Sequence, residues 1–332
     1  MMHFKINNRR YTGSKFKLLN WLKNTIEDET KTNNTFCDLF AGTGCVAEKF
    51  TDKKKLIIND LLFSNNIIYK AFFKSKNFNK KKIIEISKKY SGLNLKKVPS
   101  NYFDINFGGK FFSLNDAKLI GLIRNKIDSE NCSTSEKNIL LTSLLYSADK
   151  SANTVGHYDA FRKKIKIKDK FMFKLIEPIE HNSKIQIFRE DANELVKKIK
   201  FDICYIDPPY NSRQYSRFYH VLENLAQWKK PKLFGEALKP EPENMSEYCK
   251  TKAPEKFQEL ITNINSNYIV VSYNNTYKSK SSSSKNKITL EQILSTLEKK
   301  GKTKTFKKKH NYFNAGKTNF VNHYEYLFIT KI

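Results

Sequence analysis

The chain has 332 residues and carries 61 lysines and arginines against 33 aspartates and glutamates, a formal net charge of +28. Such an excess of lysine, unmatched by glutamate, points to a polyanionic partner, most often nucleic acid. Five cysteines (Cys37, Cys45, Cys132, Cys204 and Cys249) without a C-x-x-C pair exclude a zinc finger or a secreted disulfide framework, and no apolar run approaches 18 residues. With no apolar signal-peptide core near Met1–Arg10, a soluble cytoplasmic protein is expected, with no metal and no membrane partner.

Ser14–Ile26 is predicted to be an amphipathic helix, with Leu18, Leu19, Leu22 and Ile26 on one face and Ser14 as N-cap. A strand over Thr35–Phe40 runs into a glycine turn and a short helix. A second strand, Lys55–Asp60, leads to a helix over Leu61–Lys74, so the chain begins as a parallel α/β sheet. The rhythm lapses between about 78 and 184, where helical patterns at Lys80–Lys89, Asp116–Ile127 and Glu136–Ala148 sit among loops. Residues 162–175 (RKKIKIKDKFMFKL) alternate with period 2 and carry six basic residues in the first nine, predicting a hairpin with a basic face.

The α/β rhythm resumes with strands at Ile185–Arg189, Phe201–Ile206 and Tyr268–Tyr273, and helices at Ala192–Ile199 and Ser216–Trp228. Residues 278–287 (KSKSSSSKNK) read as disordered. A helix at Leu290–Lys299 and strands at Thr303–Lys308 and His323–Thr330 complete the pattern. The predicted organisation is one α/β domain (1–70 and 185–332) interrupted by an insert (71–184).

The turn DLFAGTGCVA (38–47) holds Gly42-x-Gly44-x-x-Ala47 between a strand and a helix, with Asp60 lying 18 residues after Gly42. Glycines permit a tight turn and close ligand approach, and an acid ending the second strand suits ribose hydroxyls. By itself this pattern also fits a nicotinamide or flavin enzyme. Asp38 shifts the balance, because a carboxylate there would repel a pyrophosphate and suit a cationic ligand. S-adenosylmethionine has an amino group, a sulfonium and a ribose, and no phosphate.

The apolar strand ending at Ile206 is followed by Asp207-Pro208-Pro209-Tyr210. An exocyclic amine on a base is a poor nucleophile because its lone pair is delocalised into the ring. It gains reactivity when its two N–H groups donate to fixed acceptors. Asp207 offers a carboxylate and Pro208 a carbonyl, and the two prolines restrict the backbone that carries them. Both acceptors are thus organised before charge develops. Tyr210 offers a ring on which an extruded base can stack.

In these motifs the chain resembles the D12 class of N6-adenine DNA methyltransferases, which includes the DNA adenine methylases and many restriction-system methylases. RRYTGSKFKLL (9–19) is similar to the family's N-terminal donor motif, and the resemblance assigns Tyr11, Gly13 and Lys15 to S-adenosylmethionine. DLFAGTG (38–44) is similar to its glycine motif, implying donor contacts from Asp38, Phe40, Gly42 and Gly44. IIND (57–60) matches its ribose motif through Asp60, and DPPY (207–210) its catalytic motif. FREDANEL (188–195) is a weaker match that sets Asp191 on the donor's adenine, although Asp191 also reads as a helix N-cap.

The resemblance implies a Rossmann-like sheet, mostly parallel with an antiparallel C-terminal strand, and a mainly helical inserted target-recognition domain. It implies transfer of a methyl group from S-adenosylmethionine to adenine N6 in double-stranded DNA, with a separately encoded restriction endonuclease as the genomic partner. His157, Tyr158, Arg162, Lys163 and Lys164 in the insert are the candidate DNA contacts, and Asn211, Arg213 and Tyr215 are expected around the flipped base or its phosphates. Methylation of adenine in ribosomal RNA, of cytosine N4, or a catalytically idle DNA-binding module are the competing readings.

Overall fold

The computed structural model describes residues 3–32, 34–93, 98–163, 165–275, 285–309 and 323–332. Seven strands are present among them: β1 (Thr35–Asp38), β2 (Lys55–Asn59), β3 (Lys184–Phe188), β4 (Lys200–Ile206), β5 (Asn265–Asn274), β6 (Lys302–Lys309) and β7 (Tyr324–Lys331). The α-helices are α1 (Leu19–Thr30), α2 (Cys45–Lys49), α3 (Phe63–Phe73), α4 (Lys80–Ser91), α5 (Tyr102–Phe107), α6 (Leu114–Ser129), α7 (Thr134–Ser151), α8 (Ala192–Leu195), α9 (Tyr215–Phe218), α10 (His220–Gln227), α11 (Ala253–Asn263) and α12 (Leu290–Glu298). They divide into a sheet unit (Lys15–Leu61, Asn182–Tyr215, Asn244–Ile332) and a helical unit (Met1–Ser14, Leu62–His181, Ser216–Glu243).

In the sheet unit the strand order is β3-β2-β1-β4-β5-β7-β6. The pairs among β1 to β5 are parallel, whereas β7 runs antiparallel to both β5 and β6. This is the predicted mostly parallel sheet with a reversed C-terminal strand. Parallel strands buried on both faces need near-continuous apolar runs, as LII in β2 and ICYI in β4 supply. One face, carrying Cys37, Ile57, Cys204, Ile206, Ile269 and Val271, packs with Leu195, Phe257, Leu260, Ile261, Ile293 and Leu297 from α8, α11 and α12. The opposite face is met by α1 and α2, where Phe36 stacks on Phe50 at 3.9 Å between ring centroids.

The chain runs from β1 outward through β2 and β3, then returns to place β4 on the other side of β1. Connections therefore leave the carboxyl ends of β1 and β4 in opposite directions, opening the crevice where α/β sheets bind ligands. The register sets Asp38 beside Tyr205, so the turns after the two strands emerge side by side.

The helical unit is built on α3, which packs against α7 and α10, with α6 beside α5 and α7. Phe72, Phe73, Phe103, Phe107, Leu144 and Tyr146 are among its buried residues. The apolar face of α3 belongs with α7, so Leu62–His181 falls in this unit beside Met1–Ser14, and α10 brings Ser216–Glu243 with it. Its mainly helical character is as expected.

The basic hairpin is not. Residues 162–175 form no strand among the described residues, because their backbone finds other partners. Lys174 N–H donates to Ser147 Oγ at 3.0 Å, Lys170 N–H to Asp116 Oδ2 at 2.9 Å, and Leu175 C=O accepts the Phe4 N–H at 2.8 Å. Other boundaries shift locally. The first helix starts at Leu19 after a 3₁₀ turn at Phe16–Leu18, so Ser14 is not its N-cap. The helix expected over Ser216–Trp228 breaks at Tyr219 and stops where Trp228 takes a left-handed φ of 57°. Ala192–Ile199 is helical only to Leu195. Most of the segment predicted to be disordered, residues 278–284, lies outside the described residues.

Candidate active site

The glycine turn begins where β1 ends. Gly42 and Gly44 have φ of 53° and 80°, a left-handed region in which a side chain is strained, and Gly44 opens α2. Asp38 is 1 % exposed, and its carboxyl accepts the Ala47 N–H at 3.0 Å. Burial, then the nearby Asp207 and Asp60, push its pKa up to about 8 against the opposing Ala47 bond. Asp60 accepts the Gly42 N–H at 3.0 Å, tying the end of β2 to the turn. Phe40 stands edge-on to Tyr248 at 5.2 Å.

Asn59, which the sequence did not single out, stitches three strand exits together. Its amide donates to Leu39 C=O at 3.1 Å and to Glu190 C=O at 3.0 Å, and it accepts Glu190 N–H at 3.0 Å. Asp191 caps α8 by accepting from Asn193 and Glu194, which bears out the N-cap reading.

At the end of β4, Asp207 is 19 % exposed and lies 3.2 Å from the Lys15 ammonium. Lys15 in turn lies 2.6 Å from Glu325 on β7. Burial alone would lower the Lys15 ammonium, yet the two carboxylates outweigh it and hold it above its ordinary value. Burial raises Asp207 to about 7, with Lys15 opposing and Glu325 adding to the rise. The Pro208 carbonyl accepts no hydrogen bond among the described residues and stays available as an acceptor. Tyr210 is 5 % exposed, packs edge-on to Tyr273 at 4.7 Å and donates to Ser272 C=O at 2.6 Å. Its ring is thus clamped into the sheet unit, leaving little of its face open before any ligand arrives. Asn211 closes an Asx-turn by accepting Arg213 N–H at 3.1 Å, and Tyr215 is half-buried.

The sheet unit thus brings together Lys15, Asp38, Phe40, Gly42, Gly44, Asp60, Asp191 and Asp207–Tyr210. Tyr11 and Gly13 belong to the helical unit, where the Tyr11 ring stacks on Tyr219 at 4.6 Å and the buried Arg9 lies over it. His157 stacks on Phe218 at 4.5 Å. Tyr158 is corrected as a DNA contact: it is fully buried and its hydroxyl donates to Asp149 at 3.0 Å, so it holds the loop rather than reaching a base. Arg162 and Lys163 are exposed, Lys163 pairing with Glu236 at 2.5 Å, and Lys164 lies outside the described residues. Glu325 and Ser272 were missed, although a lone carboxylate within the aromatic and aliphatic run HYEYLFIT was a usable signal.

A doubly wound sheet with a glycine turn after β1, an acid after β2 and Asp-Pro-Pro-Tyr after β4 defines a Rossmann-like methyltransferase. Residues 11–280 match the D12 class N6 adenine-specific DNA methyltransferase family, and the chain belongs to it. It is 38 % identical over 288 residues to modification methylase StsI of Streptococcus sanguinis, covering 80 % of this chain and 44 % of that protein. Type II methyltransferase M.NlaIII of Neisseria lactamica is 32 % identical over 349 residues, 96 % of this chain and 98 % of that one. M.CviAII of Paramecium bursaria Chlorella virus 1 is 32 % identical over 326 residues, 93 % of this chain and 94 % of its own. The chain spans about half the length of StsI and of modification methylase LlaI of Lactococcus lactis, and nearly all of the other two. Among the described residues no helix is long and apolar enough to cross a membrane, and no acidic, His or Cys cluster could hold a metal ion.

Proposed function

We propose that the chain transfers a methyl group from S-adenosylmethionine to the N6 of an adenine flipped out of double-stranded DNA, as the modification component of a cytoplasmic restriction–modification system with a separately encoded endonuclease. The observation that carries this reading is Asp207: a half-buried, lysine-paired carboxylate on a proline-stiffened turn beside the glycine turn of β1. A protein that only binds DNA has no use for a carboxylate held at that point, where it would repel phosphate.

The residues of the glycine turn fit the donor. Asp38 and Asp60 are acidic and no cation stands among Asp38–Gly44, which suits a sulfonium and ribose and not a pyrophosphate. Asp60 would take the ribose hydroxyls and Phe40 the adenine, and the bound donor supplies an electrophilic methyl. Asp207 and the Pro208 carbonyl accept the two N–H groups of the target amine, freeing its lone pair. As positive charge develops on that nitrogen the ionised Asp207 stabilises it and can take its proton. Tyr210 borders the base, and Arg162, Lys163 and Arg213 meet phosphates.

Incubation with methyl-labelled donor and mixed DNA and RNA, followed by nucleoside analysis, is expected to place the label in N6-methyladenine of DNA. Label in N4-methylcytosine, or in RNA alone, would overturn the reading.

A second expectation follows from Asp38. Titrating at about 8, it holds a proton at neutral pH, and a cationic donor favours its ionised form. Donor binding should therefore expel about one proton at pH 7, and affinity should rise as pH climbs toward 8. Calorimetry in buffers of different ionisation enthalpy measures this directly. Binding without proton release, or release that persists in Asp38→Asn, would remove Asp38 from the role.

A further inference from the structure

Ser272 and Glu325 sit on neighbouring antiparallel strands. Ser272 pairs with Leu327, two residues from Glu325, so the two are diagonal neighbours on one face of the sheet. Glu325 is 2 % exposed, and one oxygen, Oε1, accepts from both Ser272 Oγ and Lys15 Nζ at 2.6 Å. Lys15 then reaches Asp207 at 3.2 Å. The Ser272 carbonyl takes the Tyr210 hydroxyl, so one residue of β5 anchors both the carboxylate behind the lysine and the last residue of the Asp-Pro-Pro-Tyr turn. A buried carboxylate is costly unless paired, and this one is paired to the lysine that meets Asp207.

We propose that Glu325, held by Ser272, is a positioning residue that seats the Lys15 ammonium against Asp207 and so keeps that carboxylate aimed at the target amine. The inference rests on the reading of Asp207 as acceptor for that amine. It also gives Lys15, which the family resemblance assigns to the donor, a role toward the catalytic turn.

The charged and titratable groups acting on Asp207 come from several elements. They are Lys15 before α1, Asp38 on β1, Tyr205 on β4, Tyr210 in the turn and Glu325 on β7. Lys15 opposes protonation of Asp207 and Glu325 favours it. Removing one or the other should therefore move Asp207 in opposite directions, which a purely packing role would not do.

The test compares wild type, Glu325→Gln and Lys15→Met. In single-turnover methyl transfer, the acid limb of the kcat/KM profile should move about one unit to lower pH in Glu325→Gln. In Lys15→Met it should move about one to three units higher, the range for losing an opposite charge in contact. Donor Kd at the pH optimum should change little in Glu325→Gln. A second arm needs no catalysis and reads folding stability against pH. The folded-state Asp207 titrates near 7 against an ordinary 3.8, so its proton stabilises the fold fully in acid, and that contribution is lost as pH rises toward 7. The loss should end at lower pH in Glu325→Gln and at higher pH in Lys15→Met. Limbs that stay put, or move the same way in both variants, would overturn the proposal. Absence of adenine methylation by wild type, with the stability arm behaving as described, would sink the functional reading and leave the triad standing.

Discussion

Replacing Asp207 with alanine should abolish methyl transfer while leaving the donor bound. The carboxylate lies just beyond β4, is 3.2 Å from Lys15 and is followed by two prolines, so its position is fixed before substrate arrives. Loss of one such preorganised group costs on the order of 10² to 10³ in rate. Asp207→Asn keeps the shape and removes the charge, so it isolates the electrostatic part and should retain only a small fraction of activity. Donor affinity should hold or rise slightly. Asp207 is among the groups that push the Asp38 carboxyl upward, and its removal lets Asp38 ionise more readily at neutral pH. Single-turnover assays beside a donor titration separate the two effects. Retention of most of the turnover by Asp207→Ala would take Asp207 out of the chemistry.

The second large effect is on stability. Phe36 is fully buried at the centre of β1, stacked on Phe50 at 3.9 Å and 8° and lying 6.3 Å from Tyr205. Phe36→Ala removes most of an aromatic side chain from a site hemmed in by strands on both sides, where collapse is limited. The expected cost is about 3–5 kcal/mol. Urea denaturation followed by circular dichroism measures it, and a loss below about 1 kcal/mol would mean that the stack carries little of the packing. Because β1 delivers Asp38 and the glycine turn, donor affinity should weaken in the same variant even where it remains folded.

Short-range chemistry is the part of this molecule that its sequence announces. Apolar runs of strand length marked β1, β2, β4 and β5, and the left-handed turn after β1 needed glycine at 42 and 44. Asp207-Pro-Pro-Tyr could be read as a rigid presentation of acceptors because proline's restriction is local and holds in any fold. Capping was legible for the same reason, as Asp191 and α8 illustrate.

Where a side chain finds its partner far along the chain, the sequence was silent or misleading. Residues 162–175 have strand periodicity, but Asp116 of α6, Ser147 of α7 and the backbone of Phe4 take their hydrogen bonds, so no hairpin forms among the described residues. Tyr158 looks like a base-reading residue until Asp149 is found to hold its hydroxyl inside the helical unit. Glu325 lies 310 positions from Lys15, a pairing that only the return of β7 beside β5 creates. The sequence by itself determined the family, the strand–helix order and the rigid Asp-Pro-Pro-Tyr turn, because each rests on residues adjacent in the chain. Which charges surround Asp207, and which unit each flanking segment joins, were decided by the tertiary structure, because strand order and helix packing set those neighbours.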